Sequence, residues 1–132
     1  MIQIFTTKYF LSAHAIYLGL LGLFLIFLPD NVEKLLQLEA NKTVQLLLQL
    51  TGGLYFSLAM LNWMIKGTPI GGIYNRPSLI ANLSYYLVII PTLIKFLINQ
   101  NELSSLLVIL AITSIIFGSG FIRLFYKNPT SS

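Results

Sequence analysis

A chain of 132 residues in which 56% are hydrophobic and 9% charged lies far from the composition of a water-soluble domain, where roughly a quarter of residues carry charge. The net charge of +4 rests on eight lysines and arginines spread singly or in pairs at the ends of apolar stretches, not on a patch of the kind that holds nucleic acid. The absence of cysteine excludes disulfides, thiolate metal sites and cysteine nucleophiles.

A bilayer core of roughly 30 Å asks for about 20 consecutive apolar residues in a helix. Four such runs are present, at about 9–28, 44–65, 77–98 and 103–126, and little chain is left for anything else. The expectation is therefore an all-α fold. It is a single transmembrane domain spanning 1–132, an integral membrane four-helix bundle with antiparallel neighbours and a short amphipathic surface helix between helices one and two.

Met1 to Lys8 reads as a short lead. The run after it is too long for a signal-peptide core, and the A-x-A-like triplet Ala13-His14-Ala15 lies near its start instead of after it, which argues against cleavage. Gly19 and Gly22 thin one side of this first span and permit close approach of a neighbour, in a solvent where dispersion drives packing. Pro29 is expected to stop the helix.

The polar connection Asp30 to Thr43 comes next. Asp30 with Glu33 three residues later has the form of a capping box, and Val32, Leu35 and Leu36 then recur at helical spacing. An amphipathic turn or two on the membrane surface fits that pattern. Asn41-Lys42-Thr43 matches a glycosylation acceptor formally, but lies too near the expected bilayer to serve as one.

In the second span, Gln45 and Gln49 lie one turn apart, and Gly52, Gly53 and Ser57 offer a seam of small residues. Thr51, Tyr55, Leu58 and Asn62 share a face of the helical wheel. Asn62 needs a partner, because hydrocarbon supplies none. Trp63 sits at the depth where indole rings mark the interface.

Lys66 to Arg76, KGTPIGGIYNR, is rich in glycine but lacks the G-x-x-x-x-G-K-[ST] pattern of a phosphate-binding loop. One reading is a tight connection. The other places an anion, such as a lipid phosphate, between Lys66, Arg76 and the free N–H groups of a helix that begins at Arg76-Pro77. In the third span, Ser78, Asn82, Tyr85, Ile89 and Thr92 form a stripe expected to face the bundle interior, and Pro91 is expected to kink the helix. Lys95 is off the stripe and near an end, where a lysine snorkels. The short break from Asn99 to Glu102 makes the third and fourth spans antiparallel neighbours, and Ser114 with Gly118 forms a small-x-x-x-small pair in the fourth.

Charge sets the expected orientation. With four spans, Lys8, Lys66, Arg76, Arg123 and Lys127 fall on one side and Lys34, Lys42 and Lys95 on the other. The positive-inside rule then puts both termini in the cytoplasm, consistent with a bacterial inner (plasma) membrane. His14, Asn62, Asn82 and Arg76 all come out in the cytoplasmic half. Two readings of them stand. Either they hydrogen-bond across helices and fix the packing register, each worth about 1 kcal/mol or less. Or a small polar pocket built from His14, Asn62, Trp63, Lys66, Tyr74, Arg76 and Asn82 holds a headgroup or an amphipathic ligand.

Catalysis finds little support. One histidine and no carboxylate within a span leave little for acid–base chemistry, and a single imidazole cannot supply the three or four ligands of a metal site. No catalytic residue, metal or other cofactor is expected. A transporter of this size would have to oligomerise.

The glycine-bearing first span ending in Phe27-Leu28-Pro29-Asp30, followed by Leu50-Thr51-Gly52-Gly53-Leu54 in the second, resembles the DoxX-like group of small bacterial four-helix membrane proteins. The resemblance covers roughly the first half of the chain. It implies a four-helix bundle that serves as an accessory to redox or respiratory assemblies, and it carries no site residue with it. The function expected is that of an accessory or assembly subunit with a membrane-protein partner or a second copy of the chain. A small lipid- or quinone-binding protein is the alternative. Membrane lipid is a partner in either case, and nucleic acid in neither.

Overall fold

The computed structural model describes the backbone of residues 2–68, 75–99 and 104–127. Among them are five helices and no strand: α1 (Ile2–Phe27), α2 (Pro29–Leu35), α3 (Lys42–Ile65), α4 (Arg76–Ile98) and α5 (Ser105–Lys127). Four are long and apolar enough to cross a membrane, over Thr7–Phe27, Lys42–Ile65, Arg76–Ile98 and Ser105–Tyr126. At 1.5 Å per residue, each is about 32 to 36 Å long, which matches the bilayer core. Runs this apolar are helical because only a helix satisfies every backbone N–H and C=O within the segment.

The expected lead is not a lead, because α1 runs through it from Ile2. Pro29 does separate α1 from the polar connection, but by starting the next helix. It restricts Leu28 to φ −127°, ψ 46°, outside the helical region, and then occupies the first turn of α2, where its missing N–H costs nothing. The capping box is likewise absent: Leu28 is the N-cap of α2, with no side-chain bond, and Asp30 lies inside the first turn. At the other end, Leu38 N–H donates to the Glu33 carbonyl and Gln37 N–H to that of Lys34, with Gln37 at φ 55° in the position usually held by glycine.

The contacts group the chain into two compact units, one of Lys8–Lys66 and one of Met1–Thr7 with Gly67–Ser132. In the first, Leu11, His14, Leu18, Gly22 and Leu25 of α1 are buried at spacings of three or four, and Gly52, Ala59 and Asn62 of α3 at spacings of seven and three, so each set lines one helix face. The closest approach is at Gly22, where an added Cβ would lie 2.7 Å from the Gly52 carbonyl oxygen and 2.9 Å from the Phe56 nitrogen. Gly19 is looser, with the Ala59 methyl 3.7 Å away. The small-residue seam of α3 therefore runs through Gly52 and Ala59. Gly53 meets nothing within 4 Å, and Ser57 is exposed with its hydroxyl donating to the Gly53 carbonyl, so these two do not belong to it.

In the second unit, α4 buries Ser78, Leu79, Asn82, Tyr86 and Leu93, and α5 buries Ala111, Ser114, Gly118 and Phe121. Tyr86 stacks on Phe121 at 5.9 Å between ring centres, and a Cβ on Gly118 would lie 2.8 Å from Ile90 Cδ1 and 3.2 Å from Tyr86 Cβ. The pair Ser114 and Gly118 thus lies on the buried face of α5. Of the stripe foreseen on α4, Ser78 and Asn82 are buried as expected, and beyond them the buried line shifts by one position. Tyr86 is buried where Tyr85 is only half so, and Thr92 is exposed, its hydroxyl donating to the Val88 carbonyl 2.7 Å away beside Pro91. A threonine can satisfy itself on its own helix in this way and needs no interior partner.

Candidate functional site

The residues singled out from the sequence fall in both units. His14 and Asn62, 48 positions apart, meet inside the first: the Asn62 amide nitrogen lies 3.0 Å from His14 Nδ1, and both side chains are fully buried. An amide nitrogen only donates, so Nδ1 accepts and the imidazole carries its hydrogen on Nε2. The geometry follows from the glycine contact. Gly22 against Gly52 brings the backbones close, and two turns further along, the same pair of faces presents His14 to Asn62. Thr51 takes no part in this interior, since its hydroxyl donates to the Leu47 carbonyl.

Four residues beyond Asn62, Lys66 caps α3 and its Nζ lies 2.7 Å from the centre of the Trp63 ring. Trp63 is 46% exposed. Desolvation, and after it the ammonium of Lys8, lower the pKa of Lys66 from the ordinary lysine value.

The opposite end of the same unit holds a second polar cluster, whose members the sequence pattern suggests for separate roles. Glu33 is buried, 3% exposed, and its two oxygens accept from the Asn41 N–H at 3.2 Å and the Gln45 side-chain amide at 3.0 Å. The Gln45 amide also donates to Asp30, and the Gln49 amide to the Ile26 carbonyl at 3.3 Å. Asn41 caps α3 by accepting from Thr43 N–H at 2.9 Å. This explains Asn41-Lys42-Thr43 as a helix start, for which a polar residue just before an apolar periodic run is the available signal. Charge-assisted bonds of the Glu33 kind are worth about 1.5–3 kcal/mol. Glu33→Ala is expected to lower unfolding stability in detergent by about that much, and to speed amide exchange at Asn41. The exposed neighbour change Lys34→Ala is expected to stay within about 0.5 kcal/mol of the parent.

In the second unit, Asn82 is fully buried and its amide donates to the Ser78 carbonyl, 2.8 Å away and one turn back on α4. Arg76 is exposed in the first turn of the same helix, followed by Pro77. Asn75 donates to the Thr68 hydroxyl at 2.8 Å. Tyr74 lies outside the described residues. The structure thus joins His14 with Asn62 and Trp63 with Lys66, whereas Asn82 and Arg76 belong to the other unit.

Chemically, the described interior is a set of hydrogen bonds. No buried side-chain nitrogen or oxygen among the described residues lacks a partner, and no three His, Cys, Asp or Glu among them stand together. The His14–Asn62 pair is suited to holding two helices in register, since hydrocarbon offers neither group an alternative. No family model, curated protein or solved structure matches the chain.

Proposed function

We infer that the chain is a polytopic protein of a bacterial inner membrane, a bundle of four antiparallel spans with both termini cytoplasmic, and that it acts by binding as an accessory or assembly subunit of a membrane complex. The observation that carries this reading is where the interior polar groups are used. His14 is bonded to Asn62, Asn82 to its own helix and Glu33 to Asn41 and Gln45, so the polar interior serves assembly of the fold. The outward faces are apolar and broad, as at Leu46, Leu50, Leu54 and Met64 of α3. An antiparallel bundle is supported within each unit by the order of contacts, which pairs Gly22 with Gly52 but Gly19 with Ala59, and Tyr86 with Phe121 but Ile90 with Gly118. The cytoplasmic termini rest on the distribution of lysine and arginine. The short α2, with Val32 buried and Lys34 exposed, suits the membrane surface. The likeness of the first half to the DoxX-like group points to the same kind of accessory role.

The test is mass spectrometry of the full chain released gently from its native membrane, recording everything that stays bound. A stoichiometric protein partner, or a second copy, is expected. A tightly held quinone or lipid with no protein would overturn the subunit reading in favour of a small-molecule carrier.

A further inference from the structure

The first unit is electrically lopsided. Its acidic residues, Asp30, Glu33 and Glu39, all lie between α1 and α3, at one end of both helices, together with Lys34 and Lys42. The other end carries only Lys8 and Lys66. That these two share an end follows from the His14–Asn62 bond. Lys8 lies six residues before His14 and Lys66 four residues beyond Asn62, about 9 Å and 6 Å along the axes in the same direction. Lys8 is exposed, Lys66 is half-buried at the end of its span, and Trp63, three residues before that end, is partly exposed with the Lys66 ammonium over its ring. The electrostatic coupling of Lys66 to Lys8 agrees with that placement. Two ammonium groups at the rim of a bilayer, with no carboxylate at their end of the unit, call for an anion at headgroup depth. Bilayers supply one in the phosphate of an acidic phospholipid.

We propose that Lys8, Lys66 and Trp63 form a headgroup site for an anionic phospholipid, with the two ammonium groups on the phosphate and the indole at the boundary between headgroup and acyl chains. This goes beyond the subunit reading and does not depend on it, because the site needs only these three side chains and a bilayer.

Trp63 is the single tryptophan of the chain, so its fluorescence reports this position alone. The experiment places the full-length protein in phosphatidylcholine vesicles containing a minor fraction of either brominated phosphatidylglycerol or brominated phosphatidylcholine, and compares quenching. Two lysines near an anionic headgroup, at about 1 kcal/mol each, correspond to a preference of up to about thirtyfold for phosphatidylglycerol. The double variant Lys8→Gln/Lys66→Gln is expected to abolish that preference, and Lys34→Gln/Lys42→Gln at the other end to keep it. Circular dichroism of each variant separates loss of the site from loss of the fold. Equal quenching by the two lipids in the parent, or a preference that survives the double variant, overturns the proposal. Loss of the preference on adding millimolar inorganic phosphate at constant ionic strength also overturns it, by making the ligand a free anion instead of a lipid.

Discussion

Replacing Gly22 by alanine is expected to destabilise the α1–α3 unit by about 1–3 kcal/mol, and by leucine more. Two effects oppose each other at this position. Alanine is the better helix former by roughly 1 kcal/mol, which favours the variant. But its Cβ would lie 2.7 Å from the Gly52 carbonyl oxygen, 2.9 Å from the Phe56 nitrogen and 3.3 Å from the Phe56 Cα, and all three belong to the backbone. A flexible side chain gives way at little cost, whereas a backbone moves only if the helices separate. Separation loses the dispersion contacts along the whole seam, in a solvent that offers no hydrophobic compensation. The steric term therefore exceeds the propensity term. Gly53 provides the internal control, since nothing lies within 4 Å of a Cβ there. Gly53→Ala keeps only the propensity term and is expected to be neutral or slightly stabilising. Thermal unfolding in detergent, followed by circular dichroism, checks both. Equal behaviour of the two variants would remove the Gly22–Gly52 contact from the account.

The contrast between these glycines shows what was legible in the sequence. The spans were, because hydrophobic length suffices to place a transmembrane helix to within a few residues. Gly22 was legible as a thin place on its helix. Which of Gly52 and Gly53 meets it was not, since adjacent residues differ by 100° and the polar groups of that helix fall on two faces, Gln45 and Gln49 on one and Thr51 and Asn62 on another, so they do not fix one rotation. The same weakness misplaced the polar stripe of α4 onto Tyr85 and Thr92, when Tyr86 is the buried ring and Thr92 bonds to its own helix. At α2 the capping box failed for a local reason: Pro29 already fills the first helical position, so Asp30 falls one residue inside the helix it was expected to cap. Of the candidate site, His14, Asn62 and Asn82 were visible as polar groups in hydrocarbon. The pairing of His14 with Asn62 was not, because no local pattern relates residues 48 apart. Glu33 has the spacing of a capping residue and is instead a buried carboxylate tied to Asn41 and Gln45, two residues whose own spacing gave no sign of it.

Asn62→Leu is expected to cost about 1–2 kcal/mol, most of it from what happens to His14. Leucine keeps the number and branching of the side-chain heavy atoms, so its shape is the nearest apolar match, and the bulk of its two methyl groups adds to the cost instead of relieving it. What it removes is the amide that donates to Nδ1 at 3.0 Å in a fully buried place, and no water or lipid group replaces that donor at this depth. His14→Leu leaves the Asn62 amide in the mirror situation and is expected to cost a similar amount. The double variant His14→Leu/Asn62→Leu decides what the pair is for. If each single change is costly because it leaves the other polar group without this partner, the double variant loses that penalty and is less destabilised than the sum, by a coupling of about 0.6–1.7 kcal/mol. Unfolding free energies of the four proteins in one detergent give the coupling directly. Additive costs would mean that the two side chains act separately, and would return His14 to consideration as a ligand-binding group. Coupled costs, with native partners still bound to the double variant, would identify the pair as the bond that sets the register of α1 on α3. The surfaces outside that bond would then be left as the part of the molecule that others recognise.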